Sequence, residues 1–156
     1  MTLQLTKPPS VDTGMLIRRS PHDVFEALAD PSITTRFWYT NSSGRMEQGA
    51  ELTWEWRPTA FREWSGCGRS SPTVAFASRG RDMTPHPTTF EFLFVAYEND
   101  ATYVRITETG FQRGQPCARV DRRPTFLLSA LKAALEHDIP LKVTMDALPP
   151  NLELPS

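Results

Sequence analysis

The sequence predicts an α+β domain in which a curved antiparallel sheet packs against one long helix near the C-terminus. Three observations predict it. Pro124 to Ile139 is the one segment of sustained helical periodicity. Thr89 to Tyr97 and Ala101 to Thr109 read as two long strands around the polar loop Glu98-Asn-Asp100, which makes a β-hairpin. Two cap-and-proline pairs, Ser20-Pro21 and Asp30-Pro31, mark two short helices directly after a first strand.

Residues 1–12 are expected as a flexible tail, and Thr13 to Arg19 as the first strand, ending at a turn. Ser20 can accept a hydrogen bond from a free backbone N–H, Pro21 suits the first helical position, and Asp23 favours the positive end of the helix. Val24, Phe25 and Leu28 give that helix one buried face. After Asp30-Pro31 a second short helix carries Ile33 and Phe37 one turn apart, with Trp38 and Tyr39 just beyond. Turn chemistry follows at Asn41-Ser-Ser-Gly44 and Gln48-Gly49, and Leu52-Thr-Trp-Glu-Trp56 then alternates as a half-buried strand does. In the hairpin, Phe90, Phe92 and Phe94 project to one side of their strand and Val104 and Ile106 share one side of the partner.

In the long helix, Leu128, Leu131 and Leu135 recur at steps of three and four, and Leu127, Ala130 and Ala134 repeat the pattern one residue earlier. Ser129, Lys132 and Glu136 fall on the opposite face, expected in water. Burying four leucines and Phe126 at roughly 1.5–3 kcal/mol each makes this helix a leading source of stability. The small residues Ala130, Ala133 and Ala134 either let a neighbour approach closely or leave a gap where a ligand could sit.

A chain of 156 residues with a net charge of −1 fits one domain and gives no global case for nucleic acid. No apolar run approaches the roughly 20 residues needed to cross a bilayer, so no membrane partner is expected. Residues 1–10 lack a charged-then-apolar signal layout, which leaves a cytoplasmic location as the expectation. Cys67 and Cys117 stand far apart, with no second Cys or His at ligand spacing; free thiols and no metal site are expected.

Two stretches break the pattern. Residues 57–87 are rich in Arg, Pro, Gly and Ser, with only Thr73-Val-Ala-Phe76 looking strand-like, and residues 112–124 are similarly basic. Both are expected to be irregular. Residues 143–156 are expected as a C-terminal tail.

The order of elements resembles the bacterial activator-of-Hsp90-ATPase-homologue-like branch of the START and birch-pollen-allergen (SRPBCC) superfamily. The resemblance lies in Ile17 to Pro31, Phe37-Trp38, Gly49 with Leu52-Thr-Trp54, Ile106-Thr-Glu-Thr-Gly-Phe111 and Phe126 to His137. It implies a helix-grip fold over residues 13–142 and an apolar ligand space between sheet and long helix. Family members place two or three regular strands where residues 57–87 stand. This stretch is therefore either read in a displaced frame relative to them or diverged into long basic loops.

The resemblance further implies a hydrophobic small molecule as ligand, with no defined catalytic activity and no cofactor, for a chain that is a monomer or homodimer. Its alternatives are a chaperone-associated protein partner, or an enzyme of the polyketide cyclase or lyase type. Candidate cavity residues are Trp38, Trp54, Trp56, Phe92, Phe94, Ile106, Phe126, Leu127, Ala130, Leu131 and Ala134, which a filled core would use equally well. Of the acid-base candidates, His22 and His86 have a plain account as solvated side chains and His137 as a cation at a helix C-terminus. Glu91 is expected to face solvent, and Glu108, in Thr-Glu-Thr-Gly, to play a structural part at a strand end. Arg69, Arg79, Arg81, Arg113, Arg119, Arg122 and Arg123 could form an anion-binding surface, but no nucleic-acid motif accompanies them.

Overall fold

The computed structural model describes residues 8, 10–56, 61–70, 73–80, 88–111 and 122–146, with backbone only for 61–70 and 73–80. The N-terminal tail up to residue 7, residues 112–121 with Cys117, His86, and the chain from 147 onward lie outside the described residues. Strand β1 (Val11–Ile17) leads into helices α1 (Pro21–Ala29) and α2 (Pro31–Thr34). Strands β2 (Asn41–Ser42), β3 (Glu51–Trp56), β4 (Phe61–Ser70), β5 (Thr73–Gly80), β6 (Thr88–Tyr97) and β7 (Ala101–Thr109) follow, and then helices α3 (Arg122–His137) and α4 (Val143–Asp146).

The local chemistry of the first helices acts as expected. Ser20 Oγ accepts from the Asp23 N–H at 3.1 Å, and Asp30 Oδ1 accepts from the Ser32 N–H at 2.9 Å, so each cap satisfies a donor that the helix itself leaves free. Thr34, fully buried, donates its hydroxyl to Ala27 O at 2.7 Å and so locks α2 against the end of α1. Between β6 and β7, Asn99 and Asp100 both take positive φ, near 56° and 57°, as a tight hairpin loop demands.

The strands form one antiparallel sheet in the order β1-β7-β6-β5-β4-β3-β2. β1 therefore crosses the molecule to pair with the last strand, with Thr13 opposite Ile106 and Met15 opposite Val104. The expected irregularity of 57–87 is overturned at 61–70 and 73–80: β4 pairs with β3 from Glu51↔Gly66 to Trp56↔Phe61, and β5 joins β4 to β6, while the rest of the stretch lies outside the described residues. A strand inside a sheet is held by backbone hydrogen bonds on both sides, and these do not require an alternating side-chain pattern. The C-terminal tail is likewise shorter than expected, since α4 begins at Val143.

α3 approaches the sheet most closely at β1, and it also packs on α1 and α4. Leu127, Leu128, Ala130, Leu131 and Ala134 share one core with Phe92, Phe94, Val104, Ile106, Leu52 and Trp54. One of the polar positions assigned to water departs from that expectation. The Glu136 side chain is only 8% exposed, because it accepts from the Arg18 N–H and from Lys132 Nζ, both at 2.7 Å. Lys132 Nζ also donates to Leu16 O at 2.7 Å, so this flank of α3 covers the outer edge of β1.

Candidate functional site

The concave face of the sheet is lined by alternate residues of each strand. Trp54 and Trp56 come from β3, Phe90, Phe92 and Phe94 from β6, and Val104, Ile106 and Glu108 from β7. Trp38, in the turn after α2, joins the two walls: its ring centroid lies 5.1 Å from Trp54, 6.5 Å from Trp56 and 6.4 Å from Phe92. Tyr39 stacks on Trp54 at 5.4 Å with planes 12° apart, and Phe92 stacks on Phe94 at 6.5 Å. Phe25 of α1 meets Phe94 edge-on at 6.1 Å. These offset and edge contacts are the arrangements that aromatic quadrupoles favour.

The candidate residues divide by depth. Ile106, Ala130 and Leu131 are wholly shielded from water, and Trp54, Phe92, Phe94, Leu127 and Ala134 are buried with them. Trp38 and Trp56 are half-buried at the margin of the same cluster, so the aromatic wall reaches the surface there. Phe126 stands apart: it is half-buried and is not in the cluster that Leu127, Leu128 and Leu131 share.

Two polar groups join this face: Glu108, expected as a structural residue at a strand end or at the cavity mouth, and Tyr39, which is not among the cavity candidates of the sequence. Tyr39 is fully buried, with the Thr34 and Ser42 hydroxyls near its own, and its hydroxyl makes no well-formed hydrogen bond among the described residues. Burial holds its phenol above the ordinary tyrosine range. Glu108 is 3% exposed, and its Oε2 has no hydrogen-bond partner among the described residues. Burial pushes its carboxyl up, against the lowering pull of a hydrogen bond with Thr88 and of the Arg123 charge. Alternation accounts for its inward side, since it lies two residues beyond Ile106 on the strand that the sequence already oriented.

His22 and His137 are exposed, at the start of α1 and the end of α3, and Glu91 is exposed on the convex face. Of the arginine set, Arg123 is exposed, and the other six side chains lie outside the described residues, as do both cysteine side chains. Among the described residues no group of three His, Cys, Asp or Glu is placed to hold a metal ion, and no helix is long and apolar enough to cross a membrane.

A curved antiparallel sheet closed over one long helix, with two short helices after the first strand and an aromatic concave face, defines the helix-grip class of α+β proteins. Within that class, the sequence model of the activator of Hsp90 ATPase homolog 1-like proteins matches residues 18–136, and the chain belongs to that family. No curated protein matches the sequence. Among solved structures, protein SSP2350 from Staphylococcus saprophyticus is similar at 26% identity and TM-score 0.70, over 85% of this chain and 96% of that one. The Aha1 dimer from Colwellia psychrerythraea is similar at 20% identity and TM-score 0.70, over 83% and 97%. DynU16, from the dynemicin biosynthetic locus, shares the fold at 16% identity and TM-score 0.72, over 84% of this chain and 48% of its own.

Proposed function

We propose that this protein binds a hydrophobic small molecule between the concave sheet face and α3. The observation that carries the reading is the aromatic wall centred on Trp38, which is buried at Trp54 and Phe92 and reaches the surface at Trp38 and Trp56. An apolar body sliding in at Trp38 and Trp56 meets ring faces on two sides, while Ala130 and Ala134 present little bulk from the helix. On β3, β6 and β7, whose side chains are described, the concave positions are apolar apart from Thr88, Thr102 and Glu108.

Native mass spectrometry of the purified protein tests this, paired with the Trp38 and Trp56 indole N–H resonances during titration with 2-naphthol. A released lipophilic mass, or saturable shifts of those two resonances, is the expected result. A bare mass together with unmoved indoles would overturn it.

A second reading, a protein partner, is favoured by a separate observation. Val95, Tyr97 and Tyr103 are exposed together on the convex side of the β6–β7 hairpin, with Val95 directly opposite Tyr103. The family's name points to an Hsp90-type chaperone. On this reading, a Y97A/Y103A double substitution weakens capture of such a chaperone and leaves 2-naphthol binding unchanged.

A further inference from the structure

We propose that Glu108 is the recognition group for the polar head of the ligand, taking an apolar molecule with a terminal hydroxyl whose body lies along Phe90 and Phe92. The inference rests on the apolar-ligand reading above and names the class of molecule it admits.

On β1, β3, β6 and β7, the long strands whose side chains are described, Glu108 is the one acidic side chain turned inward, between Val11 on β1 and Phe90 on β6, its partners in register. Thr88, two residues before Phe90 on the same face of β6, is buried beside the carboxyl, while Oε2 is left without a partner among the described residues. Buried polar atoms in native proteins are overwhelmingly paired, because an unmatched one forfeits its hydration for nothing. Inward placement therefore needs an account that strand formation does not supply, and an external hydrogen-bonding group supplies one.

The surroundings select the class. Phe90 beside the carboxyl is half-buried and keeps accessible ring surface, which suits an apolar body rather than a sugar or a nucleotide. The carboxyl is buried among apolar side chains, so a second charge there would be costly, and a hydroxyl, which can donate to a carboxyl oxygen or accept from it without bringing a charge, is the matching head. Arg123, at the first turn of α3, is the described cation whose charge reaches Glu108; it is exposed, so its attraction is screened.

The test uses an isosteric pair of probes, 2-naphthol and 2-methylnaphthalene, titrated calorimetrically into the full chain and into E108L and E108Q. The 13C carboxyl resonance of Glu108 is followed in the unsubstituted protein. The naphthol-to-methylnaphthalene affinity ratio is expected to be about tenfold higher in the unsubstituted chain than in E108L, as one good hydrogen bond allows. E108Q, which keeps an acceptor and gains donors, should retain part of the preference. The Glu108 resonance should move with 2-naphthol and stay still with 2-methylnaphthalene, a readout that holds even where E108L fails to fold. An unchanged ratio with a still resonance overturns the role of Glu108 and leaves apolar binding intact. If neither probe binds at all, both readings fall.

Discussion

The Glu136 carboxylate is a hinge pin between helix and sheet: Lys132 is its i,i+4 partner on α3, but the Arg18 N–H comes from the turn after β1, which no local motif connects to it. Burial alone would raise its carboxyl, but the Lys132 hydrogen bond and the Arg18 N–H outweigh that and hold it below the ordinary range. An acid with a lowered folded pKa stabilises the fold above its unfolded value of about 4.3, and the contribution is lost as pH falls through the folded value. E136A should cost about 2 kcal/mol in urea denaturation at neutral pH, the scale of hydrogen bonds to a charged group. Glu108 has the opposite sign. Its carboxyl is raised, so its contribution is present below the ordinary glutamate range and is lost as pH rises through the folded value. A Tm series from pH 2 to 8 should therefore show E108Q gaining on the unsubstituted protein as pH rises through and above the ordinary glutamate range. Over the acid end of the same series, E136Q should lose the pH dependence. Parallel responses of the two variants would contradict these assignments. At this scale the sequence showed residue type and strand side, hence the inward rings, but not the partners that depend on β1 crossing to β7. Glu136 therefore read as a solvated helix position until the Arg18 turn was placed beside it.

Elements with their own chemistry were legible and elements held by neighbours were not. Ser20-Pro21 and Asp30-Pro31 specify α1 and α2 locally, and the leucine spacing specifies α3, because each pattern satisfies its own backbone or its own buried face. L131A should lower stability by about 2–5 kcal/mol, because Leu131 is wholly buried and the rings around it cannot collapse into the space; a urea midpoint shift at constant slope checks this. β4 and β5 are different: their sequences include Ser65-Gly-Cys-Gly-Arg-Ser70 and Ala77-Ser-Arg-Gly80, poor strand formers, yet their backbones complete the sheet. Regular flanks around an Arg-rich interior of irregular sequence have two accounts, a reading frame displaced across 57–87 and genuine divergence, and the gene decides between them. On the first account, translation of the gene in its other two frames should restore alternating apolar residues over this stretch. If neither frame does, the strands are a genuine divergence that the sheet tolerates.

Across the whole molecule, stability is distributed by how many neighbours hold each strand. β7 lies between β1 and β6, its inner side chains reach the α3 core, and β1 is held by both β7 and the Lys132 and Glu136 contacts. β2, at the far edge, is only two residues long and pairs with β3 through Asn41↔Glu55 and Ser42↔Trp54. Local openings should therefore begin at β2 and spread through β3, while β1, β7 and α3 open together in the global transition. Native-state hydrogen exchange checks this residue by residue. The amides of Val104, Ile106, Leu128 and Leu131 should exchange last and with one common free energy, and those of the β2–β3 pair markedly earlier. In L131A the slow set should fall together by the full loss of stability while the early set hardly moves, since the early amides already exchange through openings that leave α3 seated. A slow set confined to α3, with β1 exchanging early, would mean that the helix is not clasped through the first strand, and the order of layers deduced from the β1–β7 pairing would have to be revised.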